Sequence, residues 1–147
     1  MRVLLVSLLA LLAPATPTPD DALAGTWRAV TSRPPAAADE PVTQTAQTLV
    51  VRLDGAEAEG RSRRVTTLAF EGASSVRVEQ TTEGALRGTV AADGSLRFVT
   101  TPDDLGSEAP QAFTARLSGA GRELVVTPLD ASASGPVTFR RVRPDSQ

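Results

Sequence analysis

The chain has 147 residues and a formal net charge of −2, with charged residues interspersed along it. That balance argues against a nucleic-acid partner, because phosphate recognition wants a basic patch or stripe. His, Lys, Tyr and Cys are all missing, so the usual general bases, covalent nucleophiles and metal ligands shrink to Ser, Thr, Asp and Glu. Serines without a His or Lys to activate them are not hydrolase nucleophiles, and the chain reads as a non-enzyme with no cofactor. Asn and Ile are absent too, and every positive charge is an Arg. Lys, Asn, Tyr and Ile use AT-rich codons, so a GC-rich genome accounts for the pattern.

Met1-Arg2, the apolar run 3–12 and Ala13-Pro14-Ala15 form a charged start, a short hydrophobic region and a small-residue cleavage site. This is the pattern of a secretory signal peptide over 1–15. The run is too short to span a bilayer, which needs about 20 residues. Residues 16–23 then read as a short flexible N-terminal segment, 24–143 as one folded domain and 144–147 as a polar tail. No lipobox Cys is available for a lipid anchor, and no second hydrophobic segment follows. The expected location is secreted or periplasmic, with a mature chain that does not span the membrane.

From Gly25 onward, period-two alternation between turn residues predicts short strands. The first covers 25–31, with Trp27 and Ala29 on one face and Arg28 on the other. The second covers 45–53, after a breaker-rich loop over 32–41 containing Pro34-Pro35. Residues 57–64 read as a polar connection and 65–70 as the third strand, with Leu68 and Phe70 together. Strands at 75–82 and 85–91 follow, with Glu83-Gly84 read as the turn between them. Asp93-Gly94 is the strongest hairpin signal and predicts a type I′ turn into 96–101. The remaining strands are 112–117, 123–128 and 137–142, with a polar loop over 102–110.

Each strand has one apolar and one polar face, which favours antiparallel neighbours over a parallel sheet buried on both sides. So many strands in one small domain leave costly open edges unless the sheet closes. The predicted fold is all-β, an antiparallel up-and-down barrel of about 8–10 strands, with a flattened β-sandwich as the alternative. Phe70, Phe98, Phe113 and Phe139 all fall on the apolar faces of their strands and are expected inside. The small residues Ala29, Ala69, Gly88 and Ala115 on those faces fit either a lined cavity or a solidly packed core.

Gly25-Thr26-Trp27 resembles the G-x-W motif of the lipocalin and wider calycin families. Alternation over 137–142 puts Val137, Phe139 and Arg141 on one face, which offers an inward Arg in the last strand. In that family the Trp caps the barrel floor and an Arg from the last strand lies across its indole. The resemblance implies a small bacterial lipocalin-like barrel in which Arg141 stacks on Trp27. The chain departs from the family pattern in lacking a disulfide pair, a mid-chain T-D-Y-like motif and a helix after the last strand.

The leader pattern, the aromatics gathered on one face and the resemblance together point to an exported domain that binds a small apolar or amphipathic molecule. Trp27, Phe70, Phe98, Phe113, Phe139 and Arg141 are the candidate ligand contacts. The alternative is an exported protein-interaction module, an inhibitor or envelope accessory protein, with a packed barrel and contacts through 32–41 and 102–110. The acidic groups Asp39-Glu40, Glu57 with Glu59, and Asp103-Asp104 with Glu108 read as solvated. Arg61, Arg63 and Arg64 read as a salt-bridged surface beside Glu57 and Glu59.

Overall fold

The computed structural model describes residues 22–72, 75–104, 108–130 and 135–143. The expected leader over 1–15, residues 16–21 of the expected N-terminal segment 16–23, and the expected tail 144–147 lie outside the described residues. Eight strands run β1 (Gly25–Arg33), β2 (Val42–Asp54), β3 (Glu57–Phe70), β4 (Val76–Val90), β5 (Leu96–Pro102), β6 (Gln111–Ser118), β7 (Glu123–Pro128) and β8 (Val137–Arg141). They pair in chain order into a closed antiparallel barrel, with β8 returning to β1 at Trp27↔Arg141 and Arg28↔Arg140. Closure removes the edges within the ring, while the stretches of β1 and β4 that run beyond it pair on one side only among the described residues.

Two strand assignments differ from the sequence reading. Residues 57–64 are strand, not connection, and continue into 65–70 as the single β3. Glu57, Glu59, Arg61 and Arg63 face out, so a polar sequence is what an outer face requires. The two predicted strands at 75–82 and 85–91 are likewise one, β4 over Val76–Val90, because Glu83-Gly84 is not a turn. Gly84 sits in register opposite Ser62 and Pro102, and a Cβ there would come within 2.5 Å of the Thr101 carbonyl oxygen. The glycine marks a close approach between β4 and β5.

The Asp93-Gly94 hairpin is present, but not as type I′. That type needs positive φ at both central residues, and here Gly94 has φ 80 while Asp93 is not in the left-handed region. Gly94 N–H donates to Ala91 O (2.9 Å), and Ala91 N–H to Ser95 O (2.8 Å). The Asp93 carboxylate accepts from the Ser95 N–H (3.0 Å) and hydroxyl (2.6 Å), an arrangement that folds the side chain over its own turn.

The two ends of the barrel differ in their connections. At one end the turns are tight, Gly55-Ala56, 91–95 and 119–122. At the other, longer loops join β1 to β2, β5 to β6 and β7 to β8. The core sits toward the tight end. Trp27, Leu49, Val51, Leu86, Leu96, Leu124 and Phe139 are buried inside it, with Ala29, Ala58 and Ala115 between them. Leu23 is also fully buried there, so Ala22 and Leu23 belong to the folded unit rather than to a flexible lead-in. Toward the other end, β2, β3 and β4 run on past the short strands, since β5 pairs with β4 only from Gly84 to Val90.

Candidate functional site

A cavity of about 340 Å³ opens between the strands at the long-loop end. Its floor is apolar: Phe98, Phe113 and Phe139 line it together with Leu49, Val126 and Val137. Period-two alternation delivers these side chains to one place, because Phe98↔Phe113 and Leu124↔Phe139 are direct register partners on the inner face. The Phe98 and Phe113 rings stack with centroids 5.2 Å apart and planes at 22°. Higher up, the lining turns polar, with Gln47, Ser62, Thr82, Thr100 and Gln111.

Charged groups form the rim. Arg64, on the inner face of β3, pairs with Glu108 from the β5–β6 loop, and both are about one-third exposed. On the outer face, Arg61 forks onto both oxygens of Asp103. Arg63 meets Glu83 at 3.3 Å across the β3–β4 pair. The expected salt-bridged surface therefore exists, but its partners are Asp103, Glu83 and Glu108, not Glu57 and Glu59. The hydrogen bonds from Arg61 hold the Asp103 carboxyl below its ordinary range, and those to Asp103 raise the guanidinium. Two ion pairs thus fasten the β5–β6 loop to β3 beside the cavity mouth.

The opposite end is shut. Trp27 is fully buried, its indole N–H donating to the Leu23 carbonyl at 3.0 Å. The Arg141 guanidinium lies 4.3 Å from the Trp27 ring centroid. It donates to the carbonyls of Ala24 (2.8 Å) and Ala22. Burying a cation is costly unless it is compensated, and here the ring face and two carbonyls compensate it. Gly25 belongs to the same lock: its φ is +137°, and a Cβ would fall 2.7 Å from Arg141 Nη1.

The six candidate contacts therefore divide. Phe98, Phe113 and Phe139 meet in the cavity. Trp27 and Arg141 meet each other at the shut end and do not line it. Phe70 does neither. It keeps the inward parity of its strand but lies at the far tip of β3, 39% exposed, beyond the closed ring. Ala69, counted from the sequence among the interior small residues, is on the opposite face from Leu68 and Phe70 and lines a separate outer hollow. The polar rim residues Arg64 and Glu108 were missed as a pair; inward parity of Arg64 with Ser62 was the available signal.

Among the described residues, no cluster of three or more acidic, His or Cys side chains could hold a metal ion, and no helix is long and apolar enough to cross a membrane. Comparison with known proteins finds no matching family model, no matching curated protein and no matching solved structure.

Proposed function

We propose that this chain is an exported, lipocalin-like binding protein that takes a small amphipathic molecule into the open end of its barrel and does not transform it. The observation that carries this reading is the layered cavity: a stacked aromatic floor under a polar upper wall and a charged rim. Ligand pockets are typically concave, largely apolar and about 300–1,000 Å³, with a few polar groups that orient the guest. An apolar portion would rest on Phe98, Phe113 and Phe139, and a polar head would meet Gln47, Gln111 or the Arg64–Glu108 pair. Trp27 and Arg141 would serve by keeping the floor shut.

Native mass spectrometry of the protein purified from its own host tests both parts. The expected spectrum shows a chain shortened to begin near Thr16, carrying a retained small molecule. In solution, anilinonaphthalene sulfonate should brighten on binding and be displaced by alkyl carboxylates or alcohols. Ser62→Phe, which fills the cavity from β3, should abolish that signal while leaving the far-ultraviolet circular dichroism unchanged. A chain that keeps residues 1–15 refutes export. A probe that binds Ser62→Phe as well as wild type refutes the cavity as the site.

A further inference from the structure

Beyond the ring, the outer half of β4 pairs on one side only among the described residues. Residues 76–83 pair with β3 through an unbroken register from Phe70↔Val76 to Arg63↔Glu83, whereas pairing with β5 begins at Gly84. Every residue from Val76 to Thr81 is exposed.

The backbone direction along this edge is fixed by two hydrogen bonds. Glu83 O accepts from Asp103 N–H on the β5 side, and Val90 N–H donates to Ala56 O on the β3 side. In an antiparallel ladder a residue sends its N–H and C=O to the same side and its neighbour sends them to the other. With no bulge between, Arg77, Glu79 and Thr81 aim their backbone groups at the open side, where no described residue pairs with them.

We infer that the β4 edge is a self-recognition surface, on which a second copy of this chain adds its own β4 antiparallel about a two-fold axis through Val78. Three features choose this register. It sets Arg77 opposite Glu79 of the other copy, twice, so that unlike charges face each other on the outer face. It makes those two pairs the hydrogen-bonded ones, matching the open backbone groups, and Val78 the non-hydrogen-bonded pair on the axis. It also places Val78 against its own copy, joining two apolar patches in which Phe70, Val76 and Val78 are exposed and Leu68, opposite Val78, is partly buried. Axes through Arg77 or Glu79 would oppose like charges, which destabilises a sheet pair. The other free edge, residues 29–33 of β1 past its pairing with β8, carries no alternating charge to select a register. Main-chain pairing with side-chain selection is the general logic of strand addition.

Since the chain has no native Cys, single cysteines report the register directly. Across a non-hydrogen-bonded pair the Cα atoms stand about 4.5 Å apart, within disulfide range. Oxidised Val78→Cys should run as a cross-linked dimer. Thr81→Cys, displaced from its copy by roughly 20 Å at about 3.4 Å per residue, should stay monomeric. By sedimentation velocity, wild type should dimerise with rising concentration, and Arg77→Glu or Glu79→Arg alone should weaken this about tenfold. Mixing the two variants should restore association, because unlike charges then meet at both positions. These substitutions are solvent-exposed, so circular dichroism serves as the check on folding. A wild type that stays monomeric, cross-linking at Thr81 in place of Val78, assemblies larger than a dimer, or no rescue on mixing would each overturn the inference.

Discussion

The shut end and the open end of this barrel are built from the same alternating strands yet solve opposite problems. At the shut end, tight turns bring the strand ends together, and Trp27, Leu23 and Arg141 fill what remains. Among the described residues no buried side-chain polar atom lacks a partner; here the indole donates to Leu23 and the part-buried guanidinium to Ala22 and Ala24. At the open end, longer connections replace the tight turns, ion pairs on the surface take over from packing, and a cavity remains in the interior. Dense, satisfied packing gives stability, while a void with an unfilled apolar wall gives up contacts that a guest could supply. The contrast separates the part of the fold that holds the barrel together from the part that the proposed binding would use.

The sharpest way to break that division is to truncate an aromatic at each end. Trp27→Ala should cost about 4 kcal/mol, since a fully buried Trp is removed and an enclosed void is left. Phe113→Ala, on the wall of an existing cavity and only partly buried, should cost about 2 kcal/mol and abolish probe binding. Urea denaturation measures both. Equal costs would mean that the two ends share the packing burden and that the open end is not specialised.

A second pairing sets cation against cation. Arg141→Met keeps bulk over the indole but loses the cation–π attraction and leaves two carbonyls short of a donor, and should cost about 2 kcal/mol. Arg64→Met, at the rim, removes a partly exposed ion pair and should cost less than about 1 kcal/mol. If the rim substitution proved the more damaging by denaturant midpoint, the β5–β6 loop would be part of the barrel's frame rather than an attachment to it.

Sidedness was the legible part of this fold, because period-two alternation is written directly in the side chains. It placed Trp27 and Arg141 on faces that meet and put Phe98, Phe113 and Phe139 on the lining of one cavity. Strand length was not legible. Residues 57–64 carry charges on one face and Ala58, Gly60 and Ser62 on the other, so they lack the apolar stripe by which a strand is recognised. Gly84 looked like a turn because the same missing Cβ serves a turn and a close inter-strand contact equally well. Phe70 shows the remaining gap: parity tells which face a residue takes but not how far along the strand the ring extends. That limit depends on where β5 stops pairing with β4, which is a property of two strands and not of either alone.

The smallest expected effect distinguishes how each end holds a carboxylate. Asp93 at the shut end and Asp103 at the open end both have carboxyls held below their ordinary range. For Asp93 the leading cause is hydrogen bonding from the Ser95 hydroxyl and then its N–H; for Asp103 it is hydrogen bonding from Arg61. A depressed carboxyl contributes stability that is complete above the unfolded value, about 3.9, and is lost as pH falls through the lower folded value. Asp93→Ala and Asp103→Ala should therefore each be less stable than wild type at pH 7, with both differences closing as the pH drops below about 4. Salt separates them. Near 1 M, screening acts over about 3 Å, which weakens the exposed Arg61–Asp103 pair far more than hydrogen bonds made inside a turn. In denaturation curves at pH 7, added salt should shrink the Asp103→Ala difference and leave most of the Asp93→Ala difference in place. Equal salt sensitivity at the two positions would show that the shut end leans on charge as much as the open one does, through Arg116, which pairs with Asp93 at 2.9 Å.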